Sequence, residues 1–384
     1  MAAGIDLARV SMPARPDWQD IAASLDYTYF RNEDGSLAWR EDVAYQFSSG
    51  LVSAIGLAAG RLHKLCLDFV GEAVQSPEIL ETFGIPEAMW PVVRASWERR
   101  DPFFIGRFDF ALVDGVIKMI EYNADTPATV PESTVVQRRW LSDVCPDRQQ
   151  ASWLQSTTTQ WLRKLHSPDR RAMSDVVHVV PYPGCTEDYA HARTYAEWLK
   201  DAGMTAILAE LADIEVSAAG ELLHKGRIIK SMIRMYPWEL MFREEGSRHL
   251  LTSSCRFLSP PWTALLSNKA LLAALWERNP GHPNLIPTRF SPEGMDNYVS
   301  KPLCSRGGEN VSIFIDGENV ETQAGTYGAY RRVYQEFVDC RVGDAYASIG
   351  AWVVGEGRFA GITMRESQGM IVKDISAIVP HFIG

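Results

Sequence analysis

The texture of the apolar pattern changes twice along the chain. Between residues 41 and 100, apolar residues recur at spacings of three and four in "AYQFSSGLVSAIGLAAGRLHKLCLDFVGEAVQ" and "IPEAMWPVVRASWERR", which predicts helices. Two strands follow inside "GRFDFALVDGVIKMIEYNAD", Gly106 to Asp125, with "VDG" between them, and another helix is expected at "STVVQRRWLSD". From about residue 176, the β-branched run "DVVHVVPY" reads as a strand. A helix closed by Gly203 follows in "TEDYAHARTYAEWLKDAG", then a second strand in "TAILAEL", which together make an α/β unit. Beyond about residue 286 the chain is richer in strands: "NYVSKPL", "VSIFI", "VYQEFVD", "AWVVGEG" and "FAGITMRES". There is no internal repeat and no low-complexity linker.

The hairpin breaks its own pattern. Arg107 and Asp109 interrupt an aromatic-rich run, and Glu121 and Asn123 close the next apolar one. Side chains alternate faces along a strand, so each polar pair shares a face. A two-residue loop at Asp114-Gly115 would pair Asp109 with Ile120 and throw Glu121 to the other side. A three-residue loop, Val113-Asp114-Gly115, unites all four polar residues and is the loop expected here. Phe108, Phe110, Ile120 and Tyr122 would then form the core face. Two carboxylates and an amide oxygen on one face make a hard-cation site of the kind Mg²⁺ takes with phosphate oxygens. A buried ion-pair network of Arg107 with Asp109 and Glu121, without metal, fits the same spacing.

Composition bounds the rest. The 384 residues exceed the usual size of one core, so two or three packed subdomains are expected. At 46% hydrophobic and 22% charged, the chain is ordinary for a soluble globular protein. A net charge of −10 argues against a nucleic-acid role, which needs clustered Lys and Arg, and suits cationic ligands. The six scattered cysteines contain no C-x-x-C pair and read as reduced thiols of a cytoplasmic protein. The N-terminal "MAAGIDLARVSMPARP" lacks a long apolar segment, and no run approaches the roughly 20 apolar residues of a membrane span.

Two lysines sit where phosphates could be held. Lys269, in "LSNKALLAALWER", begins an amphipathic helix with Ser267 and Asn268 as candidate caps. Lys301 ends a strand in "NYVSKPLCSRGGENVSIF" and precedes a glycine turn with Arg306, Gly307, Gly308 and Asn310. Such a turn can offer ammonium and N–H groups to phosphates, although it is no Walker A motif.

The blocks "GRFDF…EYNADTP", "MYPWELMF", "PPWTALLSNKALLAALWERNPGHPNLIP", "SKPLCSRGGENV", "VYQEFV" and "GITMRESQGMI", in this order, resemble the glutathionylspermidine synthase family, specifically its C-terminal synthetase domain. The resemblance runs from about residue 27 to the end. It implies an α/β (α+β), ATP-grasp-like fold and an ATP-dependent carboxylate–amine ligase. By resemblance, Asp109, Glu121 and Asn123 match Mg²⁺ ligands (two ions expected), and Arg107 matches an arginine facing the acyl phosphate. Lys269 and Lys301 match lysines holding ATP phosphates. Gln335, Glu336 and Phe337 fall at the adenine hinge, and Arg365 matches a second arginine near the transferred phosphoryl group. Cys304 to Asn310, with Gly307 and Gly308, is the candidate lid. The expected regions are 1–170 (helical, with the hairpin), 171–250 (a pre-ATP-grasp-like α/β unit on the substrate side) and 251–384 (nucleotide-binding).

Several positions depart from the family. Thr126 keeps a hydroxyl after "EYNAD", but Ala128 stands where a second is expected, and Gly307 replaces a common Glu. The acyl donor is therefore expected to be a peptide or amino-acid carboxylate rather than glutathione by default. Glu187 and Asp188 fall near acidic residues associated with the amine, here a polyamine-like one. An acidic first helical turn that complements the dipole explains them without any ligand and is the favoured reading. The chain is too short for the amidase domain of bifunctional members, so no amidase activity is expected. A peptide ligase with an amino-acid acceptor and a non-catalytic ATP-binding protein are the competing readings.

Overall fold

The computed structural model describes residues 6–170 and 172–384. Residues 1–5, the start of the N-terminal stretch read above, lie outside it, as does Arg171 at the expected border of the second region.

The first long element is α1, Ser49–Ala73. The Ser48 hydroxyl accepts from the Leu51 N–H and caps it. The preceding "VAYQF", expected to be helical, is a strand, Val43–Phe47, paired with Leu7–Ser11 and His381–Ile383. The α1 helix has the length and hydropathy of a membrane span. Its apolar stripe, however, is already covered: Leu51, Ile55, Leu62, Cys66 and Val70 are fully buried in the main core.

That core lies against an antiparallel sheet of six strands. Strands β1 (Ile105–Val113) and β2 (Val116–Asn123) form the expected hairpin. A parallel sheet follows, with β3 (Val176–Val180), helix α2 (Thr186–Asp201) and β4 (Ser231–Arg234). Helix α3 (Ala270–Arg278) leads to an antiparallel sheet centred on β5 (Tyr298–Pro302) and β6 (Arg332–Glu336). The long strands β7 (Ala345–Val354) and β8 (Arg358–Ser367) return to the first sheet, where β7 pairs with β1. This sheet therefore joins segments more than 200 residues apart in sequence, which places Arg365 on β8 in the same sheet as Arg107 and Asp109 on β1. The six cysteines are unpaired.

The hairpin turn differs from expectation. Val113 pairs with Val116, so the loop is the two-residue Asp114-Gly115, and both residues have positive φ (49° and 75°). This is the mirror-image turn that suits strand twist. Parity is restored further along: Asp109 pairs with Glu121 but Phe110 with Met119, so Ile120 is an extra, bulged residue. The core face accordingly carries Phe108, Phe110, Met119 and Tyr122, while Ile120 turns to the cavity described below. Phe108 stacks on Tyr122 at 3.7 Å between ring centroids. Gly106 is required beside this stack, because a Cβ there would lie 2.8 Å from the Tyr122 ring.

Two further local readings change. "STVVQRRWLSD" is helical but opens with a π-turn, Glu132–Val136, before Gln137–Val144. At α3, Asn268 does accept from the Ala270 N–H at 2.9 Å. Ser267 is not a cap: its hydroxyl accepts from the N–H groups of Ala124 and Asp125, at 2.9 and 2.8 Å. The helix start is thereby tied to the end of β2.

Candidate active site

The three sheets meet around a cavity of about 460 Å³. Arg107, Asp109, Glu121, Asn123, Thr126, Glu187, Asp188, Lys269, Lys301, Gly307, Gly308, Gln335, Glu336, Phe337 and Arg365 all line it. Asn310 does not: with φ +55° it shapes the turn, and its side-chain oxygen accepts from the Tyr327 N–H at 2.7 Å.

On one wall the hairpin's polar face forms a closed network. Arg107 donates to both oxygens of Asp109, at 2.7 and 3.0 Å, and to the Ala128 carbonyl at 2.8 Å. The Asn123 amide N–H reaches Asp109 at 3.3 Å and Glu121 at 3.1 Å. Lys269 sits 3.3 Å from the second Glu121 oxygen. Burial opposes charge on Arg107, Asp109 and Glu121. For Arg107 the carboxylates of Asp109, Glu121 and Glu187 together outweigh burial and hold the guanidinium charged. The Asp109 carboxyl lies above its ordinary range, because burial and Glu121 outweigh Arg107. At Glu121 burial is overcome by Lys269, Lys301 and Asn123, so it stays ionised well below the usual carboxylate range.

The network bears on both readings of the hairpin. Among the described residues no three His, Cys, Asp or Glu side chains converge as a metal-binding group. A hard cation here would take Asp109, Glu121 and the Asn123 amide oxygen. That oxygen reaches the same point as the amide nitrogen if the amide is rotated. The donors fit Mg²⁺ in kind, with phosphate oxygens completing its shell.

Opposite lie the cations. Lys301 donates to the Gln335 side-chain oxygen at 2.6 Å and to the Ile120 carbonyl at 3.2 Å. Burial pulls its pKa down to about 8 against the pull of Glu121. Lys269 also donates to the Ser305 carbonyl at 3.0 Å. Arg365 donates to the Lys373 carbonyl at 2.6 Å, while its buried Nε has no partner. A buried guanidinium N–H without an acceptor, facing a cavity, can take an anionic oxygen. At the expected hinge, the N–H groups of Glu336 and Phe337 already donate to Pro287 and Asn297 carbonyls.

The expected lid lies across the cavity. Arg306 donates to the Thr126 hydroxyl at 2.9 Å and pairs with Glu239 at 3.4 Å. Gly307 and Gly308 both have positive φ and pack so closely that a Cβ on Gly307 would meet the Asp374 carboxyl at 2.1 Å. Asp374 fills the space that a side chain at Gly307 would need.

Sequence reasoning missed Asp125, Arg234 and Trp238. Arg234 donates to Asp125 at 2.5 Å, the other Asp125 oxygen accepts from the Trp238 N–H at 2.8 Å, and the guanidinium lies 3.7 Å above the Trp238 ring. This pair fixes the segment after β2. The signal was present, since Arg234 is a charge inside a buried strand just as Arg107 is.

The mixed α/β architecture, with antiparallel sheets flanking a cavity, defines a fold of the glutathione synthetase type. A glutathione synthetase-like effector from Globodera pallida shares it, with a TM-score of 0.59 over 96% of this chain and 95% of that one at 13% identity. The profile of the "Glutathionylspermidine synthase preATP-grasp" family matches residues 9–384, and the chain belongs to that family. It is 31% identical to a Haemophilus influenzae protein named "Putative acid–amine ligase", over 96% of this chain and 98% of that one. It is 26% identical to the bifunctional glutathionylspermidine synthetase/amidase of Escherichia coli and 25% identical to the trypanothione synthetase of Crithidia fasciculata. The matches cover 85% and 81% of this chain, but only 57% and 52% of those relatives.

Proposed function

We propose that the protein joins a peptide or amino-acid carboxylate to an amine, using ATP to form an acyl phosphate and releasing ADP and phosphate. The observation that carries this reading is that Arg107, Arg365, Lys269 and Lys301 line one cavity together with Asp109, Glu121 and Asn123. Four cations lining one cavity suit an anion denser than a single carboxylate, which is the character of a transferring phosphoryl group.

A free carboxylate does not react with an amine, because it is a poor electrophile. Attack of its oxygen on the γ-phosphorus gives an acyl phosphate and ADP, after which the amine displaces phosphate. Lys269 and Lys301 hold the phosphate chain, and Arg107 and Arg365 face the reacting carboxyl-phosphate. Asp109, Glu121 and Asn123 would hold Mg²⁺, which supplies charge neutralisation on the phosphates. The 304–310 loop excludes water from the acyl phosphate, with Arg306 against Thr126 as its contact on the acyl side. Glu187 and Asp188 line the same cavity and give the amine a negative wall.

The test is ADP release from Mg-ATP with purified protein against crossed panels of carboxylates and amines. The panels are glutathione, short peptides and amino acids against spermidine, putrescine and amino acids. ADP formation that requires one member of each panel establishes the ligase and its substrate class. Tight ATP binding without turnover in any pair would overturn it in favour of a non-catalytic nucleotide-binding protein.

A further inference from the structure

Behind the wall that carries Arg107 runs a short stretch of strained backbone. Thr129 has φ +76° and is 5% exposed. A β-branched residue is strained in the left-handed region, because its Cβ crowds the following carbonyl, and such strain persists only where neighbours hold it. Three neighbours do so here. Arg107 Nη1 donates to the Ala128 carbonyl at 2.8 Å and to the Thr129 hydroxyl at 3.0 Å. The Thr129 carbonyl accepts from the Ser133 N–H at 3.1 Å and from the Ser133 hydroxyl. The Val130 N–H donates to Nε2 of His191 at 3.1 Å.

His191 is 2% exposed on α2 and lies behind the residues that line the cavity. Its Nδ1 meets the Glu187 carbonyl at 2.8 Å. A carbonyl only accepts and a backbone N–H only donates, so the ring carries its proton on Nδ1 and turns the Nε2 lone pair to Val130. Val130 is fully buried, so loss of this acceptor would leave its N–H unpaired. The guanidinium of Arg107 has little slack either. Nε and Nη2 donate to Asp109 and both Nη1 N–H groups go to Ala128 and Thr129, which leaves a single N–H, on Nη2, for a ligand in the cavity. The direction of that N–H is set by the turn as much as by Asp109.

We propose that His191 is the positioning residue for Arg107, locking the strained turn at Thr129 so that the guanidinium meets the acyl phosphate; this rests on the ligase reading above. His191 touches no substrate and acts only through the Val130 N–H. Without its lone pair, Thr129 relaxes out of the left-handed region, the Ala128 carbonyl leaves Nη1, and Asp109 alone directs Arg107. A misplacement of about 1 Å at a group that stabilises a transferring phosphoryl oxygen costs on the order of 100-fold in rate. The same imidazole is bonded to the backbone of Glu187, whose side chain lines the cavity, so one ring ties the first turn of α2 to the seat of Arg107.

ADP release by His191→Leu and His191→Gln, each alone and combined with Thr129→Gly, tests the lock. Leucine fills the space without an acceptor, whereas the glutamine side-chain oxygen can take the Val130 N–H. The kcat of His191→Leu should fall on the order of 100-fold with a much smaller change in the KM for ATP. His191→Gln should recover most of that loss. Glycine adopts positive φ freely, so Thr129→Gly relieves the strain, and His191→Leu should cost several-fold less in that background. Where His191→Leu fails to fold, the same ratio is read from His191→Asn, whose amide is too short to reach Val130. An unchanged kcat in His191→Leu, no recovery in His191→Gln, or an equal fold loss with and without Thr129→Gly overturns the proposal. Absence of ADP release from the wild type would instead remove the ligase reading, and the proposal with it.

Discussion

Asp109 stands directly across the hairpin from Glu121, while its neighbour Phe110 stands across from Met119. The tight turn alone would have paired Asp109 with Ile120 and sent Glu121 and Asn123 into the core. The bulge at Ile120 corrects the parity. The Ile120 carbonyl accepts from Lys301 at 3.2 Å, so the same irregularity reaches across the cavity to a cation.

Glu121→Gln is nearly isosteric and removes the charge that Lys269 and Lys301 face. ADP formation should fall by about 100-fold or more. The stability effect should depend on pH with a definite sign. A carboxyl held below its ordinary value of 4.5 contributes stability above that value and loses it as pH falls. Wild type should therefore lead the variant in thermal unfolding at neutral pH, and the lead should shrink in acid. A lead that grows on acidification would show that Glu121 is not ion-paired.

Gly307→Ala places a methyl on the Asp374 carboxyl at a residue with φ +51°. The loop cannot seat as it does, so turnover should fall about tenfold or more, and the melting temperature should drop with the strain at this half-buried turn. Asp374→Ala removes the clash. The double variant should be less impaired than the product of the single effects, as for residues in direct contact. Strict multiplicativity would place Asp374 away from the loop in solution.

Much of this was legible from residue types. Charges in the buried strand β1 marked Arg107 and Asp109, because a sheet interior tolerates them only when paired or in use. Lys269 and Lys301 were marked by element ends. Less legible was whatever depends on an irregular backbone. Nothing in "VIKMIEYN" shows that Ile120 is bulged, since the pattern is equally apolar in either register. Ser267 reads as a cap by propensity, yet tertiary contact spends its hydroxyl on Ala124 and Asp125. Asp374 lies in a stretch where charge is unremarkable in sequence. Only the fold brings it against Gly307 at the cavity.

Asp125→Ala leaves Arg234, 2% exposed, without its carboxylate. Breaking such a pair costs about 3–5 kcal/mol. Denaturant unfolding should show this loss, with Arg234→Met in the same background restoring part of it. No loss in the single variant would mean that stacking on Trp238 alone holds the guanidinium.

Lys301→Met separates the lysine's charge from its packing. The Lys301 pKa of about 8 lies below its ordinary 10.5, so between these values the unfolded chain binds the proton and the native chain does not. Stability contributed by this site therefore rises with pH across that window and is least below pH 8. The wild-type protein should gain on Lys301→Met from pH 8 to 10.5 by an amount on the order of 1–3 kcal/mol. Phosphates held against Lys301 would favour its charged form and move the window upward, so saturating Mg-ATP should delay that gain to higher pH. A nucleotide that leaves the window in place would mean that Lys301 meets no phosphate. The phosphate site would then rest on Lys269 and the arginines alone.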